Sequence, residues 1–289
     1  MTFIRFLLIG LVVGIVDLIP GVSGGTLAFA FGIWERIIAA ITAMLNIIRL
    51  LLTFQIKASW RNFKSLDWEL LIPLGLGVVL AIFIGAAIIG SLLDTYPTYL
   101  RAFFFGLFLG VVSSPIKAIR QWNFLLILLF LVGATFSFFV AGIPQQTTQI
   151  PPLAVIFLIG AITICATILP GLSGSFLLMV FGVYEVFIDS VRDRNFLVWG
   201  MFALGAITGI FLFSSLLQWM LSRYREVVLA TLLGLMIGGS RILWPWLGND
   251  RRLLAPDDVF VTLLWLFGGV FVAMVMRQIV KKGELEAGD

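Results

Sequence analysis

The sequence contains no histidine and only one cysteine, Cys165. Without histidine, Ser-His-Asp and Cys-His catalysis are excluded, and so are histidine-dependent phosphatases. A single cysteine cannot form an internal disulfide, and Cys and His ligands for a zinc site are lacking. We therefore expect no metal, no cofactor and no catalytic residue set of these kinds.

Charge is also scarce. Only 12% of the 289 residues are charged, 61% are hydrophobic, and the mean hydropathy is +1.12. This composition is typical of a membrane protein that crosses the bilayer several times. A net charge of +4 gives no reason to expect a nucleic-acid partner, so the bilayer is the expected environment. Apolar segments long enough to span it are predicted at 70–93, 99–116, 124–141, 197–221, 227–243 and 259–276.

A short motif occurs twice. Residues 19–26 are Ile-Pro-Gly-Val-Ser-Gly-Gly-Thr, and residues 169–176, which lie 150 positions later, are Leu-Pro-Gly-Leu-Ser-Gly-Ser-Phe. Proline, glycine and serine are poor helix formers, so Pro20, Gly21, Pro170 and Gly171 are predicted to break apolar helices. In lipid, each unpaired backbone group would cost several kcal/mol, so each break must be shielded or line a cavity. Matching breaks in two halves of a chain are typical of a transporter's binding site.

The similarity continues beyond the motif. Leu76-Gly77 matches Leu204-Gly205, and Tyr96 matches Tyr224, each pair 128 positions apart. We infer an internal duplication. The predicted fold is an all-α polytopic membrane protein with two inverted-topology repeats, each a re-entrant helical hairpin plus three transmembrane helices. The first repeat covers 1–143 (hairpin 3–35, interfacial helix 37–69), a linker covers 144–152, the second repeat covers 153–280 (hairpin 153–187), and a tail covers 281–289.

Positive charge gives the orientation, because Lys and Arg concentrate on the cytoplasmic side of membrane proteins. The predicted topology places both termini and most cations on one side, which is therefore cytoplasmic. The first hairpin then opens to the cytoplasm and the second to the outside. The cations on the cytoplasmic side are Arg5, Arg49, Lys57, Arg61, Lys64, Lys117, Arg120, Arg223, Arg225, Arg277, Lys281 and Lys282.

The motifs supply candidate anion ligands. A helix N-terminus presents unpaired N–H groups, glycine lets a ligand approach, and serine or threonine adds a hydroxyl. The alternative is that small residues merely permit tight helix crossing, but two copies in register favour a binding site. Arg241 could bind phosphate in a bidentate manner, or its side chain could extend to the interface beside Trp244 and Trp246. The proposed substrate-binding residues are Ser23, Gly24, Gly25, Thr26, Ser173, Gly174, Ser175 and Arg241.

Three acids are candidates for proton coupling. Asp17 lies in an apolar run before the first motif, where an ionisable residue is costly and suggests function. Capping of the following half-helix is an equally good interpretation. Glu35 and Glu185 are matched acids at the outer ends of the hairpins, and an interfacial pair of Glu35 with Arg36 is the alternative for the first of them.

The run from Asp17 to Thr26, with Gly32 and Glu35, resembles the PopT-type polyprenyl-phosphate transporter family of bacteria. Residues 169–175, 182–185 and 238–241 fit the second half of that family. The resemblance implies a non-enzymatic transporter in the cytoplasmic membrane. Its cargo would be undecaprenyl phosphate, returned from the outer to the inner leaflet for envelope synthesis. The residues alone leave open a membrane-embedded lipid phosphatase or transferase that uses Ser23 or Asp17, a small-anion transporter, and a homo-oligomer.

Overall fold

The computed structural model describes residues 2–19, 23–144, 151–192, 194–248 and 250–285. Pro20, Gly21 and most of the predicted linker lie outside these residues. Within them the chain forms helices, and the β structure is a single bridge between Leu247 and Leu253. The all-α prediction is confirmed. The first half contains α1 (Thr2–Asp17), α2 (Gly24–Ala30), α3 (Trp34–Leu52), α4 (Ile56–Lys64), α5 (Trp68–Thr95), α6 (Pro97–Val111), α7 (Ser113–Ala118) and α8 (Phe124–Ala141).

The second half repeats this order without a counterpart of α4. It contains α9 (Leu153–Ile168), α10 (Gly174–Val180), α11 (Tyr184–Arg192), α12 (Phe196–Gly239), a 3₁₀ turn (Ser240–Leu243) and α13 (Val259–Leu285). The sequence predicts a single interfacial helix over 37–69, whereas the structure has two helices there, α3 and α4. In the turn between them Phe54 has a positive φ of 56°.

Five helical stretches of the described chain are long and apolar enough to cross a membrane, which makes the protein multi-pass. A sixth candidate is the pair α2 and α3, which is bent by 116°. The five stretches are Trp68–Gly85 within α5, Pro97–Ala118, Phe124–Ala141, Phe196–Leu243 and Val259–Ile279.

The long helix α12 is interrupted at Tyr224. Its 44 residues would extend about 66 Å if straight, roughly twice the hydrocarbon thickness of a bilayer. Tyr224 has φ −134° and ψ 44°, which are not helical values. Tyr96, between α5 and α6, has φ −133° and ψ 52°. The duplicated tyrosines thus share a backbone conformation, and the predicted spans 197–221 and 227–243 lie on either side of Tyr224.

Glycines bring helices of the two halves into backbone contact. A Cβ on Gly106 of α6 would lie 1.9 Å from the carbonyl oxygen of Leu266 in α13. A Cβ on Gly234 of α12 would lie 2.2 Å from that of Phe130 in α8. The glycines are 128 positions apart and their partners 136 apart. Each half therefore packs its second predicted span, α6 or the C-terminal part of α12, against the other half through an equivalent contact.

The same correspondence holds inside each half. A Cβ on Gly77 of α5 would lie 2.2 Å from the carbonyl oxygen of Leu7 in α1, and one on Gly205 of α12 would lie 2.0 Å from that of Phe157 in α9. The two glycines are 128 positions apart and their partners Leu7 and Phe157 are 150 apart, which are the two offsets of the sequence repeat. Small residues at such crossings are what close helix packing in a membrane requires.

Candidate functional site: two helix breaks and a cavity

The two motifs meet inside the molecule. The N–H of Gly171 donates to the Thr26 hydroxyl at 2.9 Å, and the Trp34 indole donates to the carbonyl of Ile168 at 2.9 Å. Gly171 has φ +89°, and a Cβ there would lie 2.4 Å from the backbone of Leu235. Only glycine fits this position without strain. Hydrogen bonds between residues more than 130 positions apart thus join the first break to the second.

Both short helices begin directly after the serine of the motif. Ser23 is the N-cap of α2 and Ser173 is the N-cap of α10, and each side chain is only 6% exposed. The Ser173 hydroxyl accepts from the N–H of Phe176 at 3.5 Å and lies 2.9 Å from that of Ser175. The predicted restart of a helix after each break is therefore present in the structure.

Asp17 contacts the start of α2. Its carboxylate accepts a hydrogen bond of 2.5 Å from the N–H of Gly24, the contact that helix capping requires. In the second half the equivalent residue is Thr167, whose hydroxyl donates to the carbonyl of Thr163 at 2.8 Å. A Cβ on Gly174 would lie 2.1 Å from that hydroxyl oxygen. Asp17 and Thr167 thus occupy equivalent positions before their short helices, but only Asp17 can carry a charge.

Between the breaks lies a void of about 20 Å³. Such a space holds about one water molecule and is too small for a phosphate group. Its lining comes from both motifs and from the end of α12. The lining residues are Ser23, Thr26, Phe108, Gly171, Met236, Gly239, Ser240 and Leu243.

A cavity of about 660 Å³ lies at the other end of α2. Thr26 lines the central void and Ala30 lines the cavity, so α2 connects the two spaces. The cavity is within the size range of sites for small organic ligands. Its wall combines apolar side chains with three charged ones. The lining residues are Phe29, Ala30, Phe31, Gly32, Trp34, Glu35, Ser114, Pro115, Ala118, Arg225, Leu229, Met274, Arg277 and Gln278.

Two arginines give the cavity its charge. Arg225 makes a bidentate pair with Glu35, with N–O distances of 2.7 and 3.3 Å, and the two side chains are 47% and 40% exposed. Arg277 donates to the Ser113 hydroxyl at 2.8 Å and to the carbonyl of Gly110 at 3.3 Å. Among the described residues no carboxylate pairs with Arg277. The cavity can therefore accept an anion.

The sequence does not distinguish these two arginines from other cations. Arg225 and Arg277 each lie near the end of a predicted span, where a positive charge is expected to orient the protein. The duplicated Tyr224 next to Arg225 was the available signal. The alternative pairing of Glu35 with Arg36 is wrong, because Arg36 pairs with Asp67 at 2.6 Å.

The remaining candidates lie elsewhere. Glu185 is in the first turn of α11, as Glu35 is in that of α3, and no cation in the described chain pairs with it. Arg241 lines neither the void nor the cavity. Its guanidinium donates to the carbonyls of Phe138 and Arg251, both at 3.1 Å, and lies over the Phe138 ring.

The fold and the site together define a multi-pass, all-helical membrane protein with two broken helices that meet beside a cationic cavity. A family model described as VCA0040-like, undecaprenyl phosphate translocase-like, matches residues 13–256, and the chain belongs to that family.

Two relatives are both named polyprenyl-phosphate transporter. The relative from Vibrio cholerae is 35% identical over 246 residues, which are 85% of this chain and 79% of the relative. The relative from Staphylococcus aureus is 26% identical over 292 aligned residues, with 95% of this chain and 96% of the relative covered. No solved structure matches the chain.

Proposed function

We propose that this protein carries undecaprenyl phosphate from the outer to the inner leaflet of the bacterial cytoplasmic membrane, where the lipid is reused for envelope synthesis. The observation that carries the proposal is the cationic cavity next to two helix breaks that contact each other. The family and the names of both relatives support the same class of cargo.

The cavity fits the head group of such a lipid. Arg225 and Arg277 would replace part of the phosphate's hydration through charge-assisted hydrogen bonds. Phe31, Leu229 and Met274 offer an apolar wall to the first prenyl units. The rest of the tail stays in the bilayer, so only the head group needs a polar path across about 30 Å of hydrocarbon.

The central void is too small for a phosphate group and is therefore the barrier on the proposed path. We propose that the head group passes between the two motifs when one repeat moves against the other. Ser23, Gly24, Gly25, Thr26, Ser173, Gly174 and Ser175 would then contact it. The repeats are inverted in this proposal, and the two short helices are the inner arms of re-entrant hairpins. The equivalent glycine contacts of the two halves support it.

The distribution of positive charge gives the orientation. Arg225 and Arg277 belong to the side that carries most Lys and Arg, which we propose is cytoplasmic, with both termini there. The cavity would then open inward, and the structure would be an inward-facing state. Asp17, Glu35 and Glu185 stay the proposed proton-coupling residues.

The test is leaflet exchange of a polyprenyl phosphate by purified protein in liposomes. We expect Arg277→Gln to slow exchange at least about tenfold, because it removes a charge-assisted hydrogen-bond donor worth about 1.5–3 kcal/mol. We expect Ser23→Ala and Ser173→Ala to slow it as well. Arg223→Gln is the matched control, since it removes the same charge from an exposed position near Arg225. Wild-type flux in all three variants would refute the site.

The same preparation separates the rival functions. An enzyme would change the lipid chemically, whereas a transporter returns it unaltered on the other leaflet. A transporter of small anions would be inhibited by soluble phosphate as strongly as by a short-chain polyprenyl phosphate. We expect unaltered lipid and weak inhibition by soluble phosphate.

A further inference from the structure

The internal repeat gives the cavity beside α2 a counterpart position beside α10. The cavity residue Leu229 corresponds to Arg101, 128 positions earlier, and Met274 corresponds to Phe138, 136 positions earlier; these are the offsets of the glycine contacts. Ser113, which binds Arg277, corresponds in the same way to Arg241, 128 positions later. Beside α2 these positions surround the open cavity. Beside α10, arginines and packed side chains occupy the equivalent positions.

Three arginines meet at this counterpart position. Arg101 donates to the carbonyl of Leu247 at 2.6 Å, and Arg241 donates to the carbonyl of Arg251 at 3.1 Å. The Arg251 guanidinium lies 4.5 Å from the ring centroid of Phe176, which belongs to α10. We call Arg101, Arg241 and Arg251 the arginine triad.

The triad is covered by a segment that the first half lacks. Residues 244–248 and 250–258, which we call the cap segment, connect the 3₁₀ turn to α13. Two hydrogen bonds fold it back on itself, from Gly248 to the carbonyl of Arg252 at 2.9 Å and from Leu254 to that of Trp246 at 2.8 Å. Arg251 belongs to the cap segment, and the other two arginines bind backbone carbonyls of that segment directly.

Within the part of the chain that the structure describes, the charge of the triad is not compensated by a carboxylate. Arg251 is only 7% exposed, and among the described residues no carboxylate forms an ion pair with any of the three arginines. Burial and the neighbouring Arg101 lower the pKa of Arg251. The Arg241 Nε is buried without a hydrogen-bond partner. Buried cations without a counter-ion are costly, so this cluster favours an anion.

We propose that the arginine triad is the entry site for the phosphate of a polyprenyl phosphate arriving from the outer leaflet, and that the cap segment closes this site in the present state. The inference rests on the proposed function and extends it to the opposite face. A phosphate offers several anionic oxygens and forms stronger hydrogen bonds with guanidinium groups than carbonyls do. It would replace the carbonyls of Leu247 and Arg251 as acceptors and so loosen the cap segment from Arg101 and Arg241, while the Arg251 side chain of the same segment contacts the phosphate.

The experiment measures saturation from each leaflet separately. Proteoliposomes are sorted to one orientation through a tag on the C-terminus, and a fluorescent short-chain polyprenyl phosphate is supplied in either leaflet. We expect Arg251→Gln to raise the half-saturating lipid fraction in the predicted outer leaflet about tenfold, with the inner-leaflet value unchanged. Arg252→Gln is the matched control, because this neighbouring arginine is highly exposed and pairs with Asp250.

Several results would overturn the proposal. An unchanged outer-leaflet value in Arg251→Gln would do so, as would equal shifts for both leaflets or an equal effect of Arg252→Gln. Inhibition from outside by inorganic phosphate as strong as by the lipid would show a site for free anions instead. If Arg251→Gln does not fold, Arg101→Gln is measured in the same way. A wild-type protein that binds the lipid at the outer face without exchanging it would refute the proposed function but retain the triad.

Discussion

At the scale of residues, Asp17 and Thr167 show how the two breaks differ. Both precede a short helix, yet only Asp17 can carry a charge, and its carboxylate accepts from the N–H of Gly24. A carboxylate at a helix N-terminus stabilises the helix by capping and by its interaction with the helix dipole. The same contact also leaves a second carboxylate oxygen for a proton. Asp17 is therefore placed both to cap α2 and to carry a proton.

The substitution Asp17→Asn separates these roles. If Asp17 couples transport to protons, the variant should lose the pH dependence of lipid exchange, because its amide does not titrate. The amide oxygen can still accept from Gly24, so we expect a loss of stability of only about 1 kcal/mol. Exchange is measured across pH in liposomes, and melting is followed in detergent. The control is Asp67→Asn, which alters a carboxylate that caps α5 outside the breaks. A full pH profile in Asp17→Asn would leave capping as its only role.

The residues of the breaks could be predicted from sequence because proline, glycine and serine have strong local preferences. The residues that they contact across the fold could not be predicted in this way. The bond between Thr26 and Gly171, and the pairing of Glu35 with Arg225, join residues 145 and 190 positions apart, and they depend on how the helices pack. The sequence predicts Arg241 as a phosphate ligand between the two motifs. In the structure its guanidinium instead donates to the carbonyls of Phe138 and Arg251, within the arginine triad.

At the scale of elements, glycine determines which helices touch. Gly234 of α12 lets the backbone of α8 approach so closely that a methyl group would overlap the carbonyl of Phe130. The equivalent contact of Gly106 joins α6 to α13. The glycines and their spacing were visible in the sequence, which predicted helices and a repeat. Which helix each glycine would face was not, because every apolar helix offers a similar surface.

A pair of substitutions within α12 tests this packing. Gly234→Ala should destabilise the protein by about 1–3 kcal/mol, since the added methyl must displace a backbone. Gly200→Ala in the same helix has nothing within 4 Å of the new methyl and should be neutral or stabilising by up to about 1 kcal/mol. Melting temperatures from fluorescence-detected size exclusion provide the comparison. Equal effects of the two changes would contradict the contact.

At the scale of the whole molecule, two similar halves produce an asymmetric structure. One side has a cavity of about 660 Å³, and the equivalent place on the other side is filled by Phe176, Arg251 and the cap segment. The duplication and the apolar spans could be predicted from the chain. The side that carries the cavity could not, because its position depends on how the helices of the two halves pack against each other.

The most direct measurement is a cryo-electron microscopy map of the protein with a polyprenyl phosphate bound. We predict phosphate density in the cavity, within hydrogen-bonding distance of Arg225 and Arg277, and a tail that leaves along Leu229 and Met274. Density for the lipid only on the outer surface of the helices, with the cavity occupied by side chains or water, would contradict the account.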